Sequence, residues 1–201
     1  MRKIILFFVF GMMFLGAAAQ DVLLDSVALA KEHLFNNLKE ALIHPDKVYK
    51  LDLSHHKLDS IPPEVYQFKN LQVLILKGNR LTEIPEDIGV LTHLQRLVMS
   101  RNNIVTVDPA LGKLVNLVFL DLSQNEIEML PKQIGNLVNL AELVMWLNNL
   151  NDFPDEAKGM ISLRRLSLED IAMNQETQDH ITSLFPNAKI KFSPSCKCKW
   201  E

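Results

Sequence analysis

A pattern of 23 residues recurs six times without insertion, and it constrains this chain more than any other feature. One copy, residues 117–125, reads L-V-F-L-D-L-S-Q-N, which fits the form L-x-x-L-x-L-x-x-N. A fixed period of this length indicates a solenoid, in which each repeat stacks only on its neighbours. The search for function therefore turns to a surface. The copies begin at Val48, Leu71, Leu94, Leu117, Leu140 and Leu163.

The first half of each copy predicts a short strand. Strand alternation places the fourth and sixth positions, such as Leu120 and Leu122, on the same inward face. The ninth position is an asparagine in four copies, and its amide can both donate and accept hydrogen bonds. We expect these side chains to satisfy backbone groups at the turn and to stack into a ladder. His56 and Ile171 replace asparagine in the first and last copies, where terminal repeats are expected to be atypical. The four asparagines are Asn79, Asn102, Asn125 and Asn148.

The second half of each copy follows the form L-x-x-I-P-x-x-I-G-x-L, best seen at residues 81–91. Proline fixes φ and lacks an amide donor, so it fits a returning segment outside a sheet interior. Prolines stand at this phase in four copies: Pro62, Pro85, Pro131 and Pro154. The glycines Gly89, Gly112 and Gly135 are predicted to allow a backbone conformation that is costly for other residues.

Together the two halves resemble the leucine-rich repeat family, in its 23-residue LPxxIGxL subtype, over residues 48–185. The resemblance implies an α/β solenoid, a horseshoe with a parallel β-sheet on its concave side. It places loops or short helical turns on the convex side. It also implies protein interaction as the usual role, without indicating a particular ligand.

Residues 1–19 read as a secretory signal peptide. Arg2 and Lys3 precede an apolar run, and Ala17, Ala18 and Ala19 supply small residues for cleavage before Gln20. The alternative is a membrane anchor, but residues 4–19 fall short of the roughly 20 that a spanning helix needs. This start resembles that of secreted bacterial proteins. The mature chain is thus expected to lack an integral membrane segment and to be secreted, periplasmic or displayed at the cell surface.

Both ends of the repeat array are predicted to be capped. Residues 20–47 lack the repeat pattern, and their apolar residues, including Val27, Leu34 and Leu38, fit one amphipathic helix. A membrane-surface helix would need a strongly basic face, whereas this face is mixed in charge. After a helix over residues 177–185, residues 186–201 are expected to form a cap strand and a tail. Lysines on such an edge strand discourage further pairing.

Charge and cysteine content exclude some partners and leave others open. Loss of residues 1–19 leaves 19 basic against 24 acidic residues, a net charge of about −5. Such a chain has no basic excess to offset nucleic-acid phosphates, so nucleic acid is not expected as a partner. Cys196 and Cys198 could form a strained disulfide, an incomplete metal site or an intermolecular bond. Their spacing favours none of these.

The chain contains no recognisable catalytic constellation. A phosphate loop, a G-x-S-x-G elbow, an H-E-x-x-H motif and a dinucleotide fingerprint are all absent from the sequence. His55 and His56 are neighbours, which on a strand point to opposite sides. Asp52 and Asp121 lie three repeats apart, or roughly 14 Å, too far for paired carboxylate chemistry. We therefore expect a non-enzymatic protein with no catalytic residue, cofactor or metal.

The residues that the repeat leaves free face outward from the predicted concave sheet. Several of them are expected to form an apolar patch in adjacent repeats, flanked by charged residues. Exposed aromatic side chains beside arginine match the composition of binding hot spots. The alternative is that scattered exposed apolar residues are normal. The apolar candidates are Val98, Phe119, Val144, Trp146 and Leu147, and the charged ones are Arg96, Arg101, Glu142 and Arg165.

The sequence thus favours an exported module that binds a protein partner through its concave face. A first alternative is a structural or surface-assembly component that uses its convex face or its ends. A dispersed effect of concave-face substitutions would favour it. A second alternative is a regulator of an enzyme, or an enzyme with an unrecognised site, which detectable turnover by the purified protein would favour.

Overall fold

A computed structural model describes residues 23–193, which form a parallel solenoid. Eight strands, one from each repeat and one from each end, pair in parallel in the order of the chain, which confirms the predicted fold class. Two further strands, β4 and β6, form a separate pair. In chain order the strands are β1 (Leu34–Phe35), β2 (Lys50–Asp52), β3 (Val73–Ile75), β4 (Glu83–Ile84), β5 (Arg96–Val98), β6 (Thr106–Val107), β7 (Phe119–Asp121), β8 (Glu142–Val144), β9 (Arg165–Leu168) and β10 (Lys189–Phe192).

The returning half of each of the first five repeats carries a 3₁₀ turn. Proline is the residue before the turn in four of them, and Asp108 takes its place in the third repeat. The Asp108 side chain accepts a hydrogen bond from the Ala110 amide at 2.8 Å, so it caps this turn, in which the proline comes one residue later, at Pro109. The turns span Pro63–Gln67, Glu86–Val90, Pro109–Lys113, Lys132–Asn136 and Asp155–Gly159, and a further one, Pro45–Lys47, precedes the repeats.

The core is one continuous cluster that runs between the sheet and the 3₁₀ turns. Leu120 and Leu122 are fully buried, as are the equivalent residues of the neighbouring repeat, Leu143 and Met145. Burying each such side chain contributes roughly 1.5–3 kcal/mol to folding. The predicted inward positions are therefore confirmed.

The asparagine ladder is also confirmed. The amide nitrogen of Asn125 donates to the carbonyl oxygens of Leu122 at 2.9 Å and of Met99, in the preceding repeat, at 3.1 Å. Its side-chain oxygen accepts from the Ile104 amide at 3.1 Å. Asn79, Asn102 and Asn148 make the same three contacts one repeat apart. Each asparagine therefore joins two consecutive repeats, and neighbouring asparagines share carbonyl acceptors such as those of Met99 and Leu122.

The reason predicted for the repeated glycines is wrong. Among the described glycines only Gly78 has a positive φ, at 69°. Gly89, Gly112 and Gly135 are required because consecutive turns approach closely. A Cβ atom on Gly112 would lie against the Gln133 carbonyl oxygen, and one on Gly135 against that of Glu156. The tight stacking of the returning segments, rather than an unusual backbone angle, excludes a side chain there.

Left-handed backbone occurs instead at the eighth position of every repeat, directly before the ladder position. Five of the six residues there are not glycine, and each has φ between 53° and 61°. This conformation costs roughly 1–2 kcal/mol for a residue with a Cβ atom. It turns the chain out of the strand so that the ninth residue can point inward. The column consists of His55, Gly78, Arg101, Gln124, Leu147 and Asp170.

The segment before the repeats differs from the single helix predicted over residues 20–47. It contains two short helices, α1 (Ser26–Lys31) and α2 (Leu38–Ala41), separated by β1. The helical pattern breaks because β1 pairs with β2 and extends the sheet by one strand. Asn37 then starts α2 by accepting a hydrogen bond from the Lys39 amide at 2.9 Å. Ala41 is fully buried, and the capping role stays a prediction.

At the other end, helix α3 (Gln175–Leu184) precedes strand β10, close to the predicted helix and strand. Asn174 caps α3 by accepting from the Thr177 amide at 2.8 Å. None of the helices within residues 23–193 is long and apolar enough to cross a membrane. The predicted signal peptide and the pair Cys196 and Cys198 lie outside the described residues.

Candidate protein-binding surface

The concave face consists of columns of side chains that the strand register brings side by side. Residues 23 apart in the sequence become direct neighbours on adjacent strands. Each column therefore contains six residues that occupy equivalent positions in the six repeats. The third position of the repeats forms the column Lys50, Val73, Arg96, Phe119, Glu142 and Arg165.

Two contacts organise this third column. The Arg96 guanidinium lies over the Phe119 ring, with Cζ 3.7 Å from the ring centroid, a cation–π geometry. Glu142 and Arg165 form an ion pair with 2.5 Å between Oε2 and Nη2. That hydrogen bond raises the pKa of the Arg165 guanidinium above its usual value. Glu142 and Arg165 thus neutralise one another, whereas Arg96 forms no ion pair with another residue in the described part of the chain.

The fifth column corrects one predicted member of the surface. Val98 is only 7% exposed, so the prediction that it contributes to an exposed patch is wrong. It sits on the central strand β5 between Ile75 and Asp121, and its short side chain is hidden among its neighbours on the curved sheet. Val144, in the same column, is half-buried and remains accessible.

The seventh and eighth columns place the other apolar candidates. Trp146 is half-buried, and Leu147 is 44% exposed although its φ is 53°. A left-handed leucine is unusual, and here it carries a large apolar side chain to the surface. Trp146 borders a shallow hollow of about 370 Å³. The hollow is also lined by Glu142, Val144, Ser167, Glu169, Asp170 and Lys191.

The predicted apolar patch is therefore two separate sites. Phe119 is at the third position and Trp146 at the seventh, which is about 13 Å along a strand. We define the Phe119 site as Arg96, Val118 and Phe119, and the Trp146 site as Val144, Trp146 and Leu147. Arg101, exposed at the eighth position of the third repeat, belongs to neither; its amide donates to the Ser123 carbonyl at 3.0 Å.

The structure adds a neighbour to the Phe119 site that the sequence analysis missed. The segment leading into α1 is tied to the sheet, since the Leu24 amide donates to Gln72 Oε1 at 3.1 Å and Gln95 Nε2 donates to the Leu24 carbonyl at 2.9 Å. Helix α1 consequently lies beside the third column and forms one wall of a groove of about 470 Å³. The sequence feature that could have indicated this contact is a glutamine at the second position of two consecutive repeats, Gln72 and Gln95.

No metal-binding cluster of three or more histidine, cysteine, aspartate or glutamate side chains occurs within residues 23–193. His55 and His56 are both exposed, and His56 Nδ1 lies 2.9 Å from the Ser54 carbonyl oxygen. Asp121 accepts hydrogen bonds from the amide and the hydroxyl of Ser123 at 3.0 and 2.6 Å. The side chains of His56 and Asp121 are accordingly engaged in local turn contacts.

Comparisons with known proteins agree with this architecture. A leucine rich repeat family model matches residues 46–104 and 69–127. A leucine-rich repeat protein of Leptospira interrogans is 29% identical with a TM-score of 0.56, over 68% of this chain and 41% of that one. No curated protein sequence matches the chain significantly. With 41% of the Leptospira protein matched, this chain spans less than half of that protein's length.

Two further solved structures are similar. Internalin C2 of Listeria monocytogenes is 20% identical with a TM-score of 0.65, over 81% of this chain and 69% of that one, a likeness of fold. The ectodomain of the Arabidopsis thaliana receptor kinase GASSHO1/SCHENGEN3 is 30% identical with a TM-score of 0.52, over 57% of this chain and 14% of that one. That ectodomain was solved in complex with Casparian strip integrity factor 2.

Proposed function

Because the chain is a leucine-rich repeat protein in its repeats and its fold, we propose that it is an exported, non-enzymatic module that binds a protein partner through its concave face. Members of this fold present a rigid curved sheet, and such extended concave surfaces are what solenoids use for binding. The binding residues we propose are Arg96, Arg101, Phe119, Glu142, Val144, Trp146, Leu147 and Arg165.

One observation carries this proposal: large apolar side chains on the concave face are not needed by the core. Phe119 and Trp146 stand beside the fully buried Leu120 and Met145, yet each keeps part of its surface in solvent. The rigid sheet fixes their positions in advance, which reduces the entropy lost on binding. Aromatic residues held in this way are typical of interface hot spots.

A structural relative supports both parts of this proposal, partner binding and export. The Arabidopsis ectodomain, which shares 30% identity over 57% of this chain, was solved in complex with Casparian strip integrity factor 2. It is also the outer part of a membrane receptor, which fits export of this chain. The pattern of residues 1–19 supports export independently.

A capture experiment tests the proposed surface. The mature protein, immobilised and exposed to extracellular or periplasmic extract from its source, should retain a partner. Phe119→Ala combined with Trp146→Ala should abolish that capture, since each aromatic anchor contributes about 2 kcal/mol or more at an interface centre. Glu86→Ala and Lys132→Ala, on the returning side, are the matched controls. Equal capture by the wild type and the double variant would exclude the concave face.

Export has its own test. Intact-mass measurement of protein recovered outside the cytoplasm should give a chain that begins at or near Gln20. Recovery of only the full-length form from the cytoplasm would contradict export and would leave the binding surface unaffected.

The structural alternative is favoured by a second apolar region. Met129 is 72% exposed and Val105 is 43% exposed, and both border a shallow hollow on the side of the returning segments. If the protein assembles through this side, Met129→Ser should prevent assembly while the concave double variant leaves it intact.

A further inference from the structure

The groove between helix α1 and the concave sheet is a preformed cleft with a distinct chemistry. Its volume, about 470 Å³, falls in the range of ligand-sized clefts. Three hydrogen bonds hold its helical wall in place: the two between Leu24 and the glutamines at positions 72 and 95, and one from Lys50 Nζ to the Ala30 carbonyl at 3.3 Å. A partner therefore would not have to order this wall on binding.

Most of the groove is apolar. Leu29 and Ala30 contribute from α1, and Val73, Val118 and Phe119 contribute from the sheet side. Val118 is 43% exposed and Phe119 is half-buried, so apolar surface remains open to solvent inside the cleft. Covering that surface with an apolar side chain would be favourable.

Every charged residue that lines the groove is basic. Lys50 and Arg96 are those residues, and neither forms an ion pair with another residue among 23–193. Arg96 lies over Phe119, so its charge and the ring face the same cleft. Glu142 is the one carboxylate in the third column, and it does not neutralise Arg96 because it is paired with Arg165.

From this combination we propose that the groove receives an extended segment of the partner protein in which an acidic side chain adjoins a bulky apolar one. The apolar side chain packs between α1 and Phe119, and the carboxylate meets Arg96 and Lys50. A carboxylate can engage the arginine fork with two parallel hydrogen bonds, which gives direction as well as affinity. The proposal rests on the concave face being the binding surface and names the chemistry that one part of it selects.

The test uses random twelve-residue peptides displayed on phage and selected on the mature protein. Selected sequences should be enriched in aspartate or glutamate within two positions of leucine, isoleucine or phenylalanine. Exchange of the acid for its amide in a synthetic copy should weaken binding by about tenfold or more. Fluorescence anisotropy of the labelled peptide measures this loss.

Two pairs of variants locate the binding. Ala30→Trp fills the groove and should abolish binding, whereas Val27→Trp adds the same bulk to α1 at an exposed residue outside the groove and should leave binding within about twofold. Arg96→Gln should cost about tenfold, whereas Arg80→Gln removes an equal charge at an exposed residue outside the groove and should cost much less.

Absence of any enriched peptide, enrichment without acidic residues, or undiminished binding to Ala30→Trp would overturn the proposal. Peptides that bind Ala30→Trp normally but fail on Trp146→Ala would exclude the groove while leaving the proposed concave-face function standing. Partner capture that is insensitive to both aromatic residues is the separate result that would remove that function.

Discussion

Adjacent residues of the same strands build the interior of the solenoid and its concave face, yet the two regions follow different rules. The fourth position of all six repeats is leucine, from Leu51 to Leu166, and every one is at most 1% exposed. The third position, one residue earlier, is lysine, valine, arginine, phenylalanine, glutamate and arginine in turn. The interior must be uniform because each repeat has to stack on the next. The concave face carries no such requirement, so its variation can serve a partner.

The largest loss of stability is expected from a substitution in the core of the solenoid. Leu120→Ala removes a fully buried side chain from the central repeat and should lower the free energy of unfolding by about 2–5 kcal/mol, because a cavity remains. Urea denaturation measures the change. An unchanged midpoint would mean that the fourth position does not carry the core.

The second-largest loss of stability is expected from a substitution in the asparagine ladder. Asn125→Ala leaves the buried amide of Ile104 without its partner and removes one of the two asparagine donors to the carbonyls of Leu122 and Met99, at a cost of about 1–3 kcal/mol. Asn136→Ala, at an exposed asparagine of the returning turn, is the matched control. If both variants unfold at the wild-type urea concentration, the ladder is not a source of stability.

A concave substitution next to the core sharpens the comparison. Phe119→Ala should cost no more than about 1 kcal/mol, the scale of a solvent-accessible cation–π contact such as the one with Arg96. Leu120→Ala is its neighbour on the same strand and the natural reference. A loss as large as that of the reference would place Phe119 in the core and would remove the distinction between the two regions.

The smallest effect concerns pH at the C-terminal end. His180, on α3, directs Nδ1 to Asp152 at 2.9 Å and Nε2 to Asp155 at 3.0 Å. Hydrogen bonding to Asp152 is the main cause that raises the pKa of His180, with Asp155 adding to it and desolvation opposing it. The charged imidazolium is the form that donates to both carboxylates.

Because the folded-state pKa is raised, this stabilisation is complete below the unfolded-state pKa of about 6.5 and is lost as pH rises through the folded value. We expect a loss of no more than about 1 kcal/mol, as for other partly exposed ion pairs. Thermal unfolding from pH 6 to pH 9 should show it in the wild type and not in His180→Gln. Identical pH profiles would contradict the assignment.

Much of the fold could be predicted because it depends on period and alternation. The inward residues, the asparagine ladder and the C-terminal helix and strand all follow from residue patterns within one repeat or its neighbour. The N-terminal segment could not, since its apolar spacing fits a helix while pairing of β1 with β2 imposes an extended stretch. The left-handed eighth position was hidden because only Gly78 marks it with glycine.

For the candidate surface, the sequence could predict only which face of the sheet most of these side chains occupy. Alternation placed Phe119, Val144 and Trp146 on the correct face, but not how far they stand apart along the strands. The burial of Val98 depends on the side chains beside it on the adjacent strands. An alternation pattern within one strand does not describe them. The groove beside α1 depends on hydrogen bonds between residues 48 and 71 positions apart.

Hydroxyl-radical footprinting of the protein, alone and with a partner that it captures, tests the central claim most directly. Trp146 on the concave face and Met129 on the returning side are both accessible and readily oxidised side chains. Partner binding should reduce the oxidation of Trp146 and Phe119 and leave that of Met129 unchanged. Protection of Met129 with undiminished oxidation of Trp146 would contradict a concave binding face and would support assembly through the returning side.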